Sequence, residues 1–360
     1  MAKLKLNKEN GASSNMDVGA ILQKKWWITA IVILIILGGI ILLYIFLPAF
    51  ANKTDSKALI RIPSNATVET VRDSVAKYYG DKYADKVILI SKLRGTDYSK
   101  RHGAYMIDSG MSPIYAQRLL GTGAQYPMTV VVNGARGIEN LSEKVSKNLE
   151  FTSDSLIHLL QDSEYLSKFD LKPSEALALF IDDSYQVYWN VKPEGLANKI
   201  GENYKKIWNK DRLKKAKDLG LSPAQVITLA SIVDEETNKT DEKPKVARLY
   251  LNRLKKGMKL QADPTVKFAL GDFSLRRIRG EHLKVDSPYN TYKIDGLPPG
   301  PIRTVTVSDI DAVLDAPWHE YIYMCAKDDF SGYHNFAKDY NTHMQNARNY
   351  QKALNRRNIK

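Results

Sequence analysis

Residues Leu221 to Thr237 read LSPAQVITLASIVDEET, and the organisation of the C-terminal half turns on this stretch. Ser222 suits an N-cap, and Pro223 suits the first helical position, where proline's missing N–H would have had no partner. Apolar residues then recur at Val226, Leu229, Ala230 and Val233, the spacing of one buried helical stripe. At about 100° per residue, Glu236 falls only about 20° from Leu229 around the helix, so it lies on that stripe. Glu235 projects to nearly the opposite face, and Asp234 lies near the stripe's edge. Burial penalises the ionised form of a carboxyl and raises its pKa, so Glu236 is the candidate general acid. These residues alone leave a second reading open: a helix that frays at Asp234, with all three acids solvated and Asn238 as the stop signal.

Working outward, Lys243 to Lys256 reads as a second amphipathic helix with apolar positions at Val246, Leu249, Tyr250 and Leu254, and Gly257 stands where a C′ residue belongs. Gln261 and Asp263 follow in a short polar segment. Asp263, just before Pro264, is also a candidate N-cap for the helix PTVKFAL. The run Tyr289, Asn290, Thr291, Tyr292 is flanked by Pro288 and by GLPPGP at 296–301, which predicts a rigid surface loop. Amide and phenol groups on such a loop suit a sugar ligand.

Further upstream, Ile60, Ile62, Val68, Val71 and Val75 recur as Val130, Val132, Ile138, Leu141 and Val145. In each copy a short alternating strand leads through a turn into an amphipathic helix, which predicts two small strand-and-helix units. From Trp26 to Leu47 nearly every residue is apolar and none is charged, long enough to span a hydrocarbon core of about 30 Å. Trp26, Trp27, Tyr44 and Phe46 fit interfacial belts. Lys3, Lys5, Lys8, Lys24 and Lys25 before the span outnumber Lys53, Lys57 and Arg61 after it, which favours a cytoplasmic N-terminus. Ala49, Phe50 and Ala51 resemble a cleavage site, but the apolar run is too long for a typical signal peptide. A retained anchor is expected.

The 360 residues carry a formal charge of +13. Topology argues against nucleic acid as the partner. Arg253, Lys255, Lys256, Lys259, Arg276, Arg277 and Arg279 read as solvated helix faces or as groups facing anionic headgroups and peptide carboxylates. The single cysteine, Cys325, can form no intramolecular disulfide and reads as a buried free thiol. His102, His158, His282, His319, His334 and His343 show no metal-ligand spacing, so no metal and no cofactor are expected. His334 and Asn335 are placed to line a cleft or to pack in the structure.

Four blocks carry a resemblance: LASIVDEET at 229–237, LYLNRLKKGMKLQADPTV at 249–266, SPYNTYKIDGLPPGPI at 287–302, and YIYMCAKDDFSGYHNFAKDYNTH at 321–343. In this order they resemble the endolytic murein transglycosylases of the MltG (YceG-like) family. The resemblance places the family's catalytic glutamate on Glu236. Asp234 stands where many members have another Glu and is read as non-catalytic. Tyr289 and Asn290 are similar to the YNAG-type motif of lysozyme-like lytic transglycosylases, so they, with Gln261 and Asp263, are the expected substrate-binding residues.

The resemblance implies an α+β chain with four parts: a cytoplasmic arm at 1–25, one transmembrane helix at 26–47, a LysM-like wall-binding region at 56–165, and a mixed α+β catalytic domain at 166–352. Asn133-Gly134 and the run Asp182 to Tyr185 match the family only loosely. The implied enzyme is a single-pass protein of the bacterial inner membrane with its catalytic domain on the outer side. It cuts nascent glycan strands of peptidoglycan beside penicillin-binding proteins and other synthetic components. Two other readings stay open: a catalytically silent wall-binding scaffold, and a lysozyme-type hydrolase, which needs a second carboxylate such as Asp263 or Asp183.

Overall fold

The structure is a computed structural model that describes residues 18–46, 57–108, 110–275 and 277–357. Lys3, Lys5, Lys8, Lys53, Arg276, the segment 49–51 and the side chains of Lys24, Tyr44 and Phe46 lie outside the described residues. The chain divides between Gln125 and Tyr126 into two compact units.

The first unit begins with α1, Val18–Phe46. Its segment Lys25–Leu43 is 19 residues long and apolar on every side, long and apolar enough to cross a bilayer. Trp26 and Trp27 are exposed, as are Ile31, Leu34 and Ile41. A small α/β body follows, made of β1 (Ala58–Ile62), α2 (Val68–Tyr79), α3 (Asp81–Leu93), β2 (Gly103–Ile107) and α4 (Pro113–Thr122). β1 pairs antiparallel with β2, with Ile60 opposite Tyr105 and Ile62 opposite Gly103. Thr67 caps α2 through a capping box with Thr70, satisfying two N-terminal donors at once. Gly80, at φ 82°, makes the abrupt turn into α3 that an L side chain resists. Ile60, Ile62, Val71, Val75, Tyr79 and Tyr83 then share one core.

The second unit holds β3 (Met128–Val132), α5 (Gly137–Ser146), α6 (Ser153–Gln161), α7 (Ser163–Ser167), β4 (Asp183–Val187), α8 (Pro193–Ile207) and α9 (Lys210–Asp218). It continues through α10 (Pro223–Glu236), α11 (Lys243–Lys255), α12 (Asp263–Leu270), α13 (Val307–Leu314), β5 (Tyr323–Ala326), β6 (His334–Ala337) and α14 (Tyr340–Arg356). The second strand-and-helix copy forms here as β3 and α5. Its strand pairs antiparallel with β4, Val130 opposite Tyr185 and Val132 opposite Asp183. That pairing crosses the boundary expected at residue 165, and one core runs from Val130 through Leu160 and Leu229 to Val313. The break therefore falls near residue 125. A strand's alternation shows that it needs a partner but not which strand supplies it.

α10 starts as the sequence indicates, with Ser222 and Gln225 forming a capping box and Pro223 at its first position. The expected single stripe is not what it buries. Ala224, Ile227, Thr228, Ser231 and Ile232 are as buried as Val226, Leu229, Ala230 and Val233, so this helix is enclosed on all sides. Polar residues on its second face find partners inside the core: Thr228 donates to the Ala224 carbonyl and Ser231 to the Thr228 carbonyl.

Candidate active site

α10 ends at Glu236, and Thr237 continues in extended conformation. Of the three successive carboxyls at the helix end, the first two meet cations and share Arg303. Asp234 meets Arg303 at 2.9 Å and Lys243 at 2.5 Å, and Lys243 also meets Asp309 at 2.6 Å. Glu235 takes a forked contact from Arg136, with Nη2 2.7 Å and Nε 3.0 Å from Oε1 and Nη2 3.0 Å from Oε2, and a further bond of 2.9 Å from Arg303. The reading that leaves all three acids solvated is thereby overturned. Glu235 does point away from Glu236, as helix geometry requires, but into an arginine pair rather than water.

Among the described residues, Glu236 meets no cation at bonding distance. Its Oε1 accepts a 2.6 Å hydrogen bond from the Tyr250 hydroxyl of α11. Burial pushes the Glu236 carboxyl up to about 7, helped by Asp263, while the Tyr250 bond, His334 and Lys267 pull the other way. Burial, with Glu236 adding to it, raises the Tyr250 phenol well above its ordinary value, so the hydroxyl keeps its proton and donates. A carboxyl of that kind holds a proton at neutral pH in a substantial fraction of molecules and can also take one back.

Glu236 opens onto a cleft of about 250 Å³. One wall is α11, through Tyr250 and Arg253. Gln261, Asp263 and Tyr292 form a second wall, and Met324, Cys325, Ala326 and His334 of the β5–β6 hairpin form a third. Thr291 staples the second wall: its carbonyl accepts from the Gln261 N–H, and its hydroxyl accepts from the Ala262 N–H and bonds the Thr265 hydroxyl. A larger groove of about 990 Å³ lies elsewhere in this unit, reached by Arg248 and Asn252 of α11, but Glu236 takes no part in it.

Gln261 and Asp263 both line the Glu236 cleft. Gln261 sits there at φ 52°, a left-handed conformation uncommon for a side chain of its size. Asp263 is the first residue of α12 and makes no cap; its carboxylate instead accepts a 2.6 Å bond from the Tyr292 hydroxyl. Asp183, the other candidate second carboxylate, bonds the Ser184 N–H and Asn203 and is absent from the cleft lining.

Two expected sugar contacts need correction. Asn290 is fully buried, its amide donating to the carbonyls of Leu283 and Val285 while its oxygen accepts from the Tyr292 N–H. Every bond it makes is inside its loop, so it shapes the loop instead of facing the cleft. Tyr289 packs on Phe268 with ring centroids 4.7 Å apart and does not line the cleft either. The run at 289–292 is thus half internal, and Tyr292 is the member that reaches the cleft.

A family model described as the YceG-like family matches residues 60–349. The chain belongs to that family. A protein of Bacillus subtilis (strain 168) named endolytic murein transglycosylase is 27% identical over 293 residues, covering 76% of this chain and 80% of that protein. Proteins of the same name from Streptococcus pneumoniae, strains D39 and R6, are 31% identical over 114 residues, which is 31% of this chain and 21% of theirs. In fold, the chain is similar to the crystal structure of a YceG-like protein from Listeria monocytogenes, with TM-score 0.54 and 22% identity over 81% of this chain and 99% of that one.

Several cleft residues of this YceG-like chain escape sequence reasoning. Tyr250 occupies an ordinary stripe position of α11, and only its phenol on an otherwise aliphatic face distinguishes it. Arg253 reads as a solvated or lipid-facing base, yet it is 7% exposed and donates to the carbonyls of Ile322 and Leu260. Cys325 is only partly buried and lines the cleft.

Proposed function

We propose that this protein is an endolytic murein lytic transglycosylase acting through one carboxyl, Glu236. The observation that carries the reading is the Glu236 environment: enclosed, held by a phenol in place of a cation, with its carboxyl pushed up to about 7, and open to a cleft. The family and the relatives' shared name supply the substrate class, the glycan strands of peptidoglycan.

Glu236 in its acid form protonates the glycosidic oxygen between N-acetylmuramic acid and N-acetylglucosamine, and the C1–O bond breaks. The resulting carboxylate removes the proton of the muramic C6 hydroxyl as O6 closes on C1. The products are a 1,6-anhydro end and a free 4-hydroxyl, Glu236 regains its proton, and no water is consumed. One group doing both jobs works best with a pKa near the working pH.

α1 supports anchoring in the cytoplasmic membrane with the second unit outside, which confines the enzyme to new strands and so ends their elongation beside the synthetic penicillin-binding proteins. The strand–helix–helix–strand order of the first unit supports a LysM-like wall contact. One observation favours a second reading. Asp263 lies in the same cleft as Glu236, where a hydrolase would need its partner carboxylate. Mass spectrometry of products from purified uncrosslinked strands separates the cases. Anhydro ends are the expected result, reducing ends would make the protein a muramidase, and intact strands would make it a scaffold.

A further inference from the structure

Glu242, at the start of α11, is only 5% exposed, and its carboxylate is used by three donors from two segments far apart in sequence. The Thr237 hydroxyl, one residue after Glu236, donates to Oε2 at 3.0 Å. The His334 backbone N–H donates to Oε1 at 2.7 Å, and His334 Nδ1 lies 2.9 Å from Oε2. Two bonds from one carboxylate, one to the backbone and one to the ring, fix His334 in both position and rotation. A carboxylate accepts only, so Nδ1 carries the ring hydrogen in the neutral imidazole, and Nε2 is left as an acceptor. No hydrogen bond from the described residues reaches Nε2, and His334 lines the same cleft as Glu236.

We propose that His334 is a substrate-contacting residue whose Nε2 accepts a hydrogen bond from a hydroxyl or acetamido N–H of the bound glycan, and that Glu242 is the positioning residue that sets its tautomer and aim. The inference rests on the glycan-cleaving reading above. It gives the cleft two functions: proton transfer at Glu236 and register of the sugar at His334. Thr237 ties the two, because the residue that follows Glu236 shares the carboxylate that holds His334.

Amide substitutions separate this role from a purely structural one. The amide of His334→Asn reaches the Nδ1 position and can keep the Glu242 bond, whereas that of His334→Gln reaches the Nε2 position with an oxygen that can accept. A substrate contact predicts that Asn loses kcat/KM by about tenfold or more, mostly in KM, while Gln retains most of it. A structural tie predicts the reverse order, and that order would overturn the proposal. Glu242→Gln presents an amide N–H that can turn the ring to its other tautomer, so it should behave like His334→Asn, with the His334 ¹⁵N resonances exchanging protonated and bare character. Unchanged resonances and unchanged KM would remove Glu242 from the positioning role.

If wild type leaves strands uncut, the function reading fails. The contact is then judged by strand binding in the Glu236→Gln background, where His334→Asn must still weaken affinity about tenfold. One readout needs no variant at 334: adding strands must move the His334 Nε2 resonance in the Glu236→Gln protein, and an unmoved resonance contradicts the contact.

Discussion

The two sides of the α10 terminus differ more than their sequence suggests. On one side, Asp234, Glu235 and Asp309 interlock with Lys243, Arg303 and Arg136, three carboxylates against three cations. On the other, Glu236 has a phenol and an open cleft. A helix C-terminus carries partial negative charge and disfavours acids. The cations offset that for Asp234 and Glu235. Among the described residues Glu236 has only a neutral donor at bonding distance, and the dipole and the burial both favour its acid form. Adjacent carboxyls thus become an ion-paired clamp and a carboxyl with a raised pKa, because a cation is supplied to one side and not to the other.

The largest test of this contrast is Glu236→Gln, which should lower kcat by about 10² to 10⁴ while leaving the fold intact. Wild-type activity in that protein would end the assignment. The same substitution has a signed effect on stability. Because the folded carboxyl titrates near 7 against an ordinary value of 4.5, the folded state binds more protons between those pH values. Wild-type stability therefore falls as pH rises through that window, by up to roughly 3 kcal/mol. The amide escapes this loss, so its melting temperature should match wild type near pH 4 and exceed it at pH 8.

The clamp should respond in the opposite way, in stability before activity. Lys243→Met leaves Asp234 and Asp309 buried without their shared cation and should cost roughly 3–5 kcal/mol, read by denaturant unfolding. A loss under 1 kcal/mol would mean that the remaining partners suffice. Glu235→Gln removes a charge from the Arg136–Arg303 fork and should cost about 1–3 kcal/mol, with kcat per folded molecule within a few-fold of wild type. A complete loss of turnover at full stability would assign Glu235 the chemistry instead. The smallest effect is expected for Tyr250→Phe. Loss of a bond that favours the ionised form should move the alkaline limb of the pH profile upward by about one unit or less. A downward shift would show that the phenol favours the acid form.

Much of α10 is legible in its sequence, since caps and helical periodicity are local. Ser222, Pro223 and the direction of Glu236 follow from residues a turn apart. The enclosure of its second face is not legible, because Ser231 and Thr228 look like surface residues until their donors find internal acceptors. The partners of Glu235 lie at Arg136 and Arg303, far away in sequence, so composition alone showed only excess base. Asn290 teaches the converse: a residue type suited to sugars was equally suited to binding its own loop's carbonyls, and burial decided between the two.

The most direct measurement is a ¹³C NMR titration of the Glu236 side-chain carboxyl in the intact protein, assigned by its absence in Glu236→Gln, set beside the pH dependence of kcat/KM. The account predicts a carboxyl titrating near 7 and activity falling above that pH as the acid form is lost. A carboxyl that titrates at its ordinary value, with activity indifferent to pH across the neutral range, would contradict it.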